Sequence, residues 1–116
     1  MRHHNRNRKF SRETGARRAL LRSLAVSLID HGRIRTTEAR AKELRPFIER
    51  LITHARQGTI VSRRLVLARL GTVDAAEKLA KVVAPRYSER PGGYTRITKI
   101  TTKRTDAAKM AMIEFV

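Results

Sequence analysis

Leu44, Phe47, Ile48, Leu51, Ile52 and Ala55 recur at spacings of three and four residues. A helix with one apolar face lines these positions up. Such a face needs a second layer to pack against, so the segment commits the chain to a layered fold. Thr36 or Thr37 can cap its start, with Glu38 in the first turn where a negative charge complements the helix dipole. Pro46 lies inside the stripe and predicts a kink or break near Lys42–Arg45, because its ring clashes one turn back. Gly58 ends the segment.

A second stripe runs from about Thr14 to His31, with Leu20, Leu21, Leu24, Ala25, Leu28 and Ile29 at helical spacing. Gly32 can form its left-handed cap, with His31 in the last turn. Arg33–Thr36 is too short for a helix and predicts a brief strand. Residues 60–70 predict a shorter third helix carrying Ile60, Val61, Arg64, Leu65, Leu67 and Ala68, stopped by Gly71. Thr72 or Asp74 can cap a fourth, with Ala76, Leu79, Ala80 and Val83 on its apolar side and Pro85 at its end. A loop of breaker residues follows, from Arg86 to Gly93.

The pattern then changes. Tyr94–Thr102 and Met110–Val116 read as strands around a hairpin-sized loop, Lys103–Lys109. Ile97, Ala111, Ile113 and Phe115 are expected on the core side, and Ile100, Met110 and Met112 on the other. A bare hairpin is marginal, so the strand near Ile34 is the natural third member. The expected class is α+β: one mainly helical domain over residues 14–116, with a small sheet that includes a C-terminal β-hairpin. Residues 1–13 form a basic N-terminal arm with no core-forming pattern.

Charge narrows the partner. Lys and Arg total 27 against 10 Asp and Glu, a net charge of +17 on 116 residues. That excess favours a polyanion. Arg2, Arg6, Arg8, Lys9 and Arg12 lie on the arm, and Arg17, Arg18 and Arg22 continue the series onto the first helix. Only Glu13 opposes them before residue 30. The planar guanidinium matches phosphate oxygens. An arm of this kind orders on contact, at roughly 1–2 kcal/mol of backbone entropy per residue. Counterion release and charge-assisted bonds must offset that cost. The plainer alternative is a solvated basic tail.

Pro91-Gly92-Gly93-Tyr94, flanked by Arg90 and Arg96, supports two readings. One is a flexible turn that feeds a strand. The other is close approach of backbone to a phosphate, with Tyr94 stacked on a base or, alternatively, packed in the core.

Catalysis finds little support. There is no cysteine, which removes thiolate chemistry and disulfides. His3, His4, His31 and His54 form no i, i+4 pair. The acids are single, and Glu38 and Glu49 sit where Lys42 and Arg45 can pair with them. No nucleophile elbow, phosphate-binding loop or metal-ligand spacing occurs. Neither cofactor, metal nor small-molecule substrate is expected. No apolar run is long enough to span a bilayer, and the first residues lack a secretory h-region. Their Arg-rich, acid-poor character would also suit an organellar transit peptide, but the first apolar-periodic segment follows at once. Membrane-surface binding would favour one basic helix with bulky aromatics; here charge is spread along the chain and Trp is absent. Structured RNA ranks first. Duplex DNA bound by the helices around Gly71 ranks second, and a small RNA-processing enzyme third, lacking a buried base or metal site.

From Met1-Arg2-His3 onward the chain resembles the bacterial family of large-subunit ribosomal protein seventeen. The likeness includes Ser27-Leu28-Ile29, Ile34 with Thr36-Thr37, Ala41-Lys42-Glu43-Leu44-Arg45, and Leu51-Ile52-Thr53 with Ala55. Its most specific piece is Arg90-x-Gly92-Gly93-Tyr94-Thr95-Arg96-Ile97. Arg104, Asp106, Ala108, Met110-Ala111 and Ile113-Glu114 complete it. The resemblance implies a two-layer α/β domain and a structural, non-enzymatic role in the cytoplasmic large ribosomal subunit. It implies binding to 23S ribosomal RNA near the polypeptide exit side, beside neighbouring proteins that include large-subunit protein thirty-two. The candidate RNA-binding residues are then Arg2, His3, Arg6, Arg8, Lys9, Arg12, Arg17, Arg18, Arg22, Arg90, Gly92, Gly93, Tyr94, Arg96, Lys103 and Arg104.

Overall fold

The structure, a computed structural model, describes residues 14–100 and 109–116. Helix α1 spans Thr14–His31, strand β1 Arg33–Thr37, helix α2 Glu38–Gln57, helix α3 Ile60–Leu70 and helix α4 Val73–Lys78. A wide turn of π type, Leu79–Val83, and a 3-10 turn, Ala84–Tyr87, continue α4. Strands β2, Thr95–Ile100, and β3, Met110–Phe115, complete the order.

Local chemistry sets the helix ends. Thr37 is the N-cap of α2, its hydroxyl accepting from the Arg40 N–H at 3.3 Å, and Thr59 caps α3 in the same way through Ser62 at 3.1 Å. Gly32 and Gly71 follow α1 and α3 at φ 79° and 77°, a left-handed conformation that costs other residues a Cβ clash.

The stripe on α2 forms the centre of the core. Leu44, Ile48, Leu51 and Ile52 are buried, at roughly 1.5–3 kcal/mol each relative to exposure. Ala25, Leu28 and Ile29 of α1 join the same cluster, as do Leu70, Leu79, Ala111 and Ile113. The sheet is antiparallel in the order β1-β3-β2, which makes the last strand its centre. Ile113 stands opposite Ile34 on one side and Ile97 on the other. Ile97, Ala111, Ile113 and Phe115 face the helices as the alternation predicts, and β1 is the third member. Helices on one face of a small antiparallel sheet are the expected α+β arrangement. The arm and residues 101–108 lie outside the described residues.

Three expectations are corrected. The break expected near Lys42–Arg45 does not occur: α2 is helical from Glu38 to Gln57 through Pro46. Pro46 and Lys42, whose carbonyl loses its N–H partner, are both exposed, so water can satisfy that carbonyl. The buried face of α3 is Ser62, Val66 and Leu70, while Ile60 and Val61 are 69% and 76% exposed. Ser62 can be buried because its hydroxyl donates to the Thr59 carbonyl at 2.9 Å and accepts from the Thr59 hydroxyl at 3.0 Å. Finally, Pro85 does not end the helical path. It sits in the first positions of the 3-10 turn, where its missing N–H costs nothing, and the turn carries Tyr87 into the core.

Candidate nucleic-acid interface

The buried residues of α1 are all in its C-terminal half. The other half projects along α2 and the end of α3, and the three helices enclose a groove of about 750 Å³. Arg17, Arg18 and Arg22 line it from α1, Lys42 and Arg50 from α2, and Arg69 from α3. Six cations line the groove with one carboxylate, Glu43, which is buried, and Lys42 is paired with Glu38 outside the lining. Leu21, Pro46, Phe47 and Ala68 supply apolar lining. Positions 42, 46 and 50 recur every four residues, so helical geometry stacks them along one edge of α2.

Arg22 fixes one wall. Its Nε donates to the Arg69 carbonyl at 3.1 Å, satisfying an acceptor that the end of α3 leaves open. The side chain lies close over Gly71, where a β-carbon would stand 3.2 Å from Arg22 Cδ. Gly71 therefore serves both the helix end and the passage of the arginine.

A second cluster forms where β2 begins. Arg90, Gly92, Gly93, Tyr94 and Arg96 come together there, but their roles differ from those expected. Tyr94 is 1% exposed, so its ring is a core residue and not a platform for a base. Its hydroxyl accepts from Arg56 Nη1 at 2.7 Å, and its ring centre is 5.0 Å from that of Tyr87. Arg56 Nη2 also donates to the Ser88 carbonyl at 3.0 Å, which pins the loop before the glycines. Tyr87 donates to the Val116 carbonyl at 2.8 Å, and the Val116 N–H donates to the Tyr94 carbonyl at 3.0 Å. Burial raises the Tyr87 phenol above its ordinary pKa, against the lowering effect of Arg86 and Arg90.

Gly93 adopts φ 65° and is exposed. Arg90 is exposed, whereas Arg96 donates through Nε and Nη2 to Glu114 Oε1 at 3.1 and 2.8 Å. Next to the corner, Glu49 accepts from the Thr95 hydroxyl at 2.7 Å and from Arg45 Nε at 3.4 Å. The second anticipated ion pair is also present, with Lys42 Nζ 2.8 Å from Glu38. That hydrogen bond holds the Glu38 carboxyl below the usual range, with Lys99 and Lys109 adding to the effect.

Groove and corner take different side chains of α2: Lys42, Pro46 and Arg50 serve the groove, while Arg45 and Glu49 among them, and Arg56 beyond, serve the corner. Lys42 and Arg56 are separated by about 21 Å along the axis at 1.5 Å per residue. Arg2, His3, Arg6, Arg8, Lys9 and Arg12 lie outside the described residues, as do Lys103 and Arg104. The sequence reading did not select Lys42, Arg50 or Arg69 as site residues. The spacing of Lys42 and Arg50 on α2 was visible, but a solvated helix edge gives the same pattern, and only packing against α1 joins them to Arg18 and Arg22. Among the described residues, no group of three or more His, Asp or Glu side chains could hold a metal ion.

Residues 20–116 match the family described as ribosomal protein L17. A protein of Gemmatimonas aurantiaca is 52% identical over 116 residues, covering 100% of this chain and 98% of its own length. One from Thermomicrobium roseum is 53% identical, with coverage of 100% and 99%. One from Campylobacter jejuni is 48% identical, again with 100% and 99% covered. Each of the three is named large ribosomal subunit protein bL17. A match across 97 of 116 positions, with half of all residues identical in full-length relatives, places the chain in the ribosomal protein L17 family.

Proposed function

We propose that the chain is a structural, non-enzymatic constituent of the cytoplasmic large ribosomal subunit, and that it binds and stabilises folded 23S ribosomal RNA near the polypeptide exit side. Large-subunit proteins, among them protein thirty-two, are its neighbours there. The observation that carries the RNA-binding part is the groove, where five arginines from three helices gather beside Lys42 with Glu43 as the one carboxylate in the lining. Their mutual repulsion is relieved when a polyanion enters. In sequence the arm precedes α1, whose first turn leads to Arg17 and Arg18. Arg2, His3, Arg6, Arg8, Lys9 and Arg12 follow the phosphate path from there. Arg90, Gly92 and Gly93 offer a second contact, and Lys103 and Arg104 a third. Phosphate contacts position the protein and RNA shape supplies selectivity.

Titration of the full chain against 23S RNA across a salt series tests this. With about eight phosphates neutralised, log affinity falls with log salt at a slope of roughly −6 to −7. Deletion of residues 2–12 weakens binding and leaves helical circular dichroism intact. A slope near zero, or duplex DNA competing on equal terms, refutes the reading.

A further inference from the structure

We propose that the groove between α1, α2 and α3 holds an unpaired RNA nucleotide, with its base against Phe47 and Pro46 and the flanking phosphates on the arginines that line it. The assignment rests on the RNA-binding reading above and specifies the form of RNA that the groove accepts.

The groove has two chemistries. Arg18 and Arg22 line it from α1, Arg50 from α2 and Arg69 from α3, while Pro46 and Phe47 add apolar surface from α2. A paired RNA helix offers phosphates and sugar edges but keeps its base faces stacked inside. It would satisfy the walls and strip water from the apolar surface without filling it. An unpaired nucleotide carries a π face and two phosphates at once, and sequence-specific RNA recognition depends on such splayed bases. The volume, about 750 Å³, lies within the range of roughly 300–1,000 Å³ typical of small-ligand sites.

The site is also held in place. Phe47 is half-buried and rests against the core, so its ring is fixed before any ligand arrives. Arg22 is tied by Nε to the Arg69 carbonyl, and among the described residues its Nη groups make no hydrogen bond that would keep them from phosphate oxygens. The exposed Pro46 ring, at a position helices ordinarily avoid, adds a flat apolar surface beside Phe47.

Two RNA hairpins test the proposal with the full-length protein. They are identical except that one bulges a single fluorescent purine. The protein prefers the bulged hairpin by about fivefold or more, the lower end of one base–aromatic stack, and binding quenches the purine. Phe47→Leu keeps an apolar side chain; it abolishes both the preference and the quenching. The double variant Arg50→Ala/Arg69→Ala changes exposed side chains that the core does not use. It lowers the salt slope on the bulged hairpin by roughly 1.4, the value for two single-strand phosphates. Equal affinity for the two hairpins, a preference that survives Phe47→Leu, or an unchanged slope in the double variant overturns the groove assignment and leaves RNA binding by the arm standing. Salt-insensitive binding of both hairpins overturns the two readings together.

Discussion

The groove and the corner are both rich in arginine, yet they use it in opposite ways. At the corner the protein consumes its own cations: Arg56 is bonded to Tyr94 and Ser88, Arg96 to Glu114, and Arg45 to Glu49 and the Thr95 carbonyl. Along the groove, Arg18 and Arg50 make no such bond among the described residues, and Arg22 gives up only its Nε. The difference comes from what lies within reach. Carboxylates and carbonyls meet the arginines where the sheet joins α2, whereas in the groove the bond that an arginine makes among the described residues is that of Arg22 to the Arg69 carbonyl. A count of basic residues therefore overstates the binding surface.

The sharpest way to break this contrast is Tyr94→Ala. If the corner is built for stability, losing a fully buried aromatic ring costs about 3–5 kcal/mol in urea unfolding. Arg50→Ala, on the groove side, changes stability by no more than about 0.5 kcal/mol while weakening RNA binding. A stable Tyr94→Ala protein that has lost RNA affinity would reverse the two assignments.

Arg56→Ala comes next, at about 1.5–3 kcal/mol, because it removes a charged donor and leaves the buried Tyr94 hydroxyl without a partner. Combining it with Tyr94→Phe removes both ends of the bond. The double variant then loses less stability than the two single losses added together. Strict additivity in that cycle would show that Arg56 does not act through Tyr94.

What the sequence reveals and what it hides follow the same line. The stripe on α2, the caps at Thr37 and Gly71, and the alternation through Ile97, Ala111 and Ile113 are local patterns, and local patterns are readable. The buried face of α3 is not, because Ser62 is buried through a hydrogen bond while Ile60 and Val61 remain in water. Tyr94 was equally readable as a stacking platform or a core residue, since a phenol serves either. The answer depended on Arg56, 38 residues away in the chain. In the groove, Arg17, Arg18 and Arg22 stood out as a run, whereas Lys42, Arg50 and Arg69 joined them only through the packing of three helices. Site membership that arises from long-range packing leaves no periodic trace.

The smallest effect on stability comes from Glu114→Gln, which converts a consumed cation into a free one. Glu114 sits on the central strand with Arg96 opposite it on β2 and Arg33 opposite it on β1. The substitution keeps an oxygen for Arg96 to bond but removes the charge. Exposed pairs of this kind contribute only about 0.2–1 kcal/mol, so the fold tolerates the change. If RNA approaches the corner, Arg96 then becomes available to a phosphate. Affinity for 23S RNA rises at low salt, and the salt slope steepens by about 0.7–0.9. If affinity and slope stay as they were, Arg96 lies away from the RNA and its pairing serves the sheet alone. In that case the corner contributes structure throughout, and the groove and arm carry the interface without it.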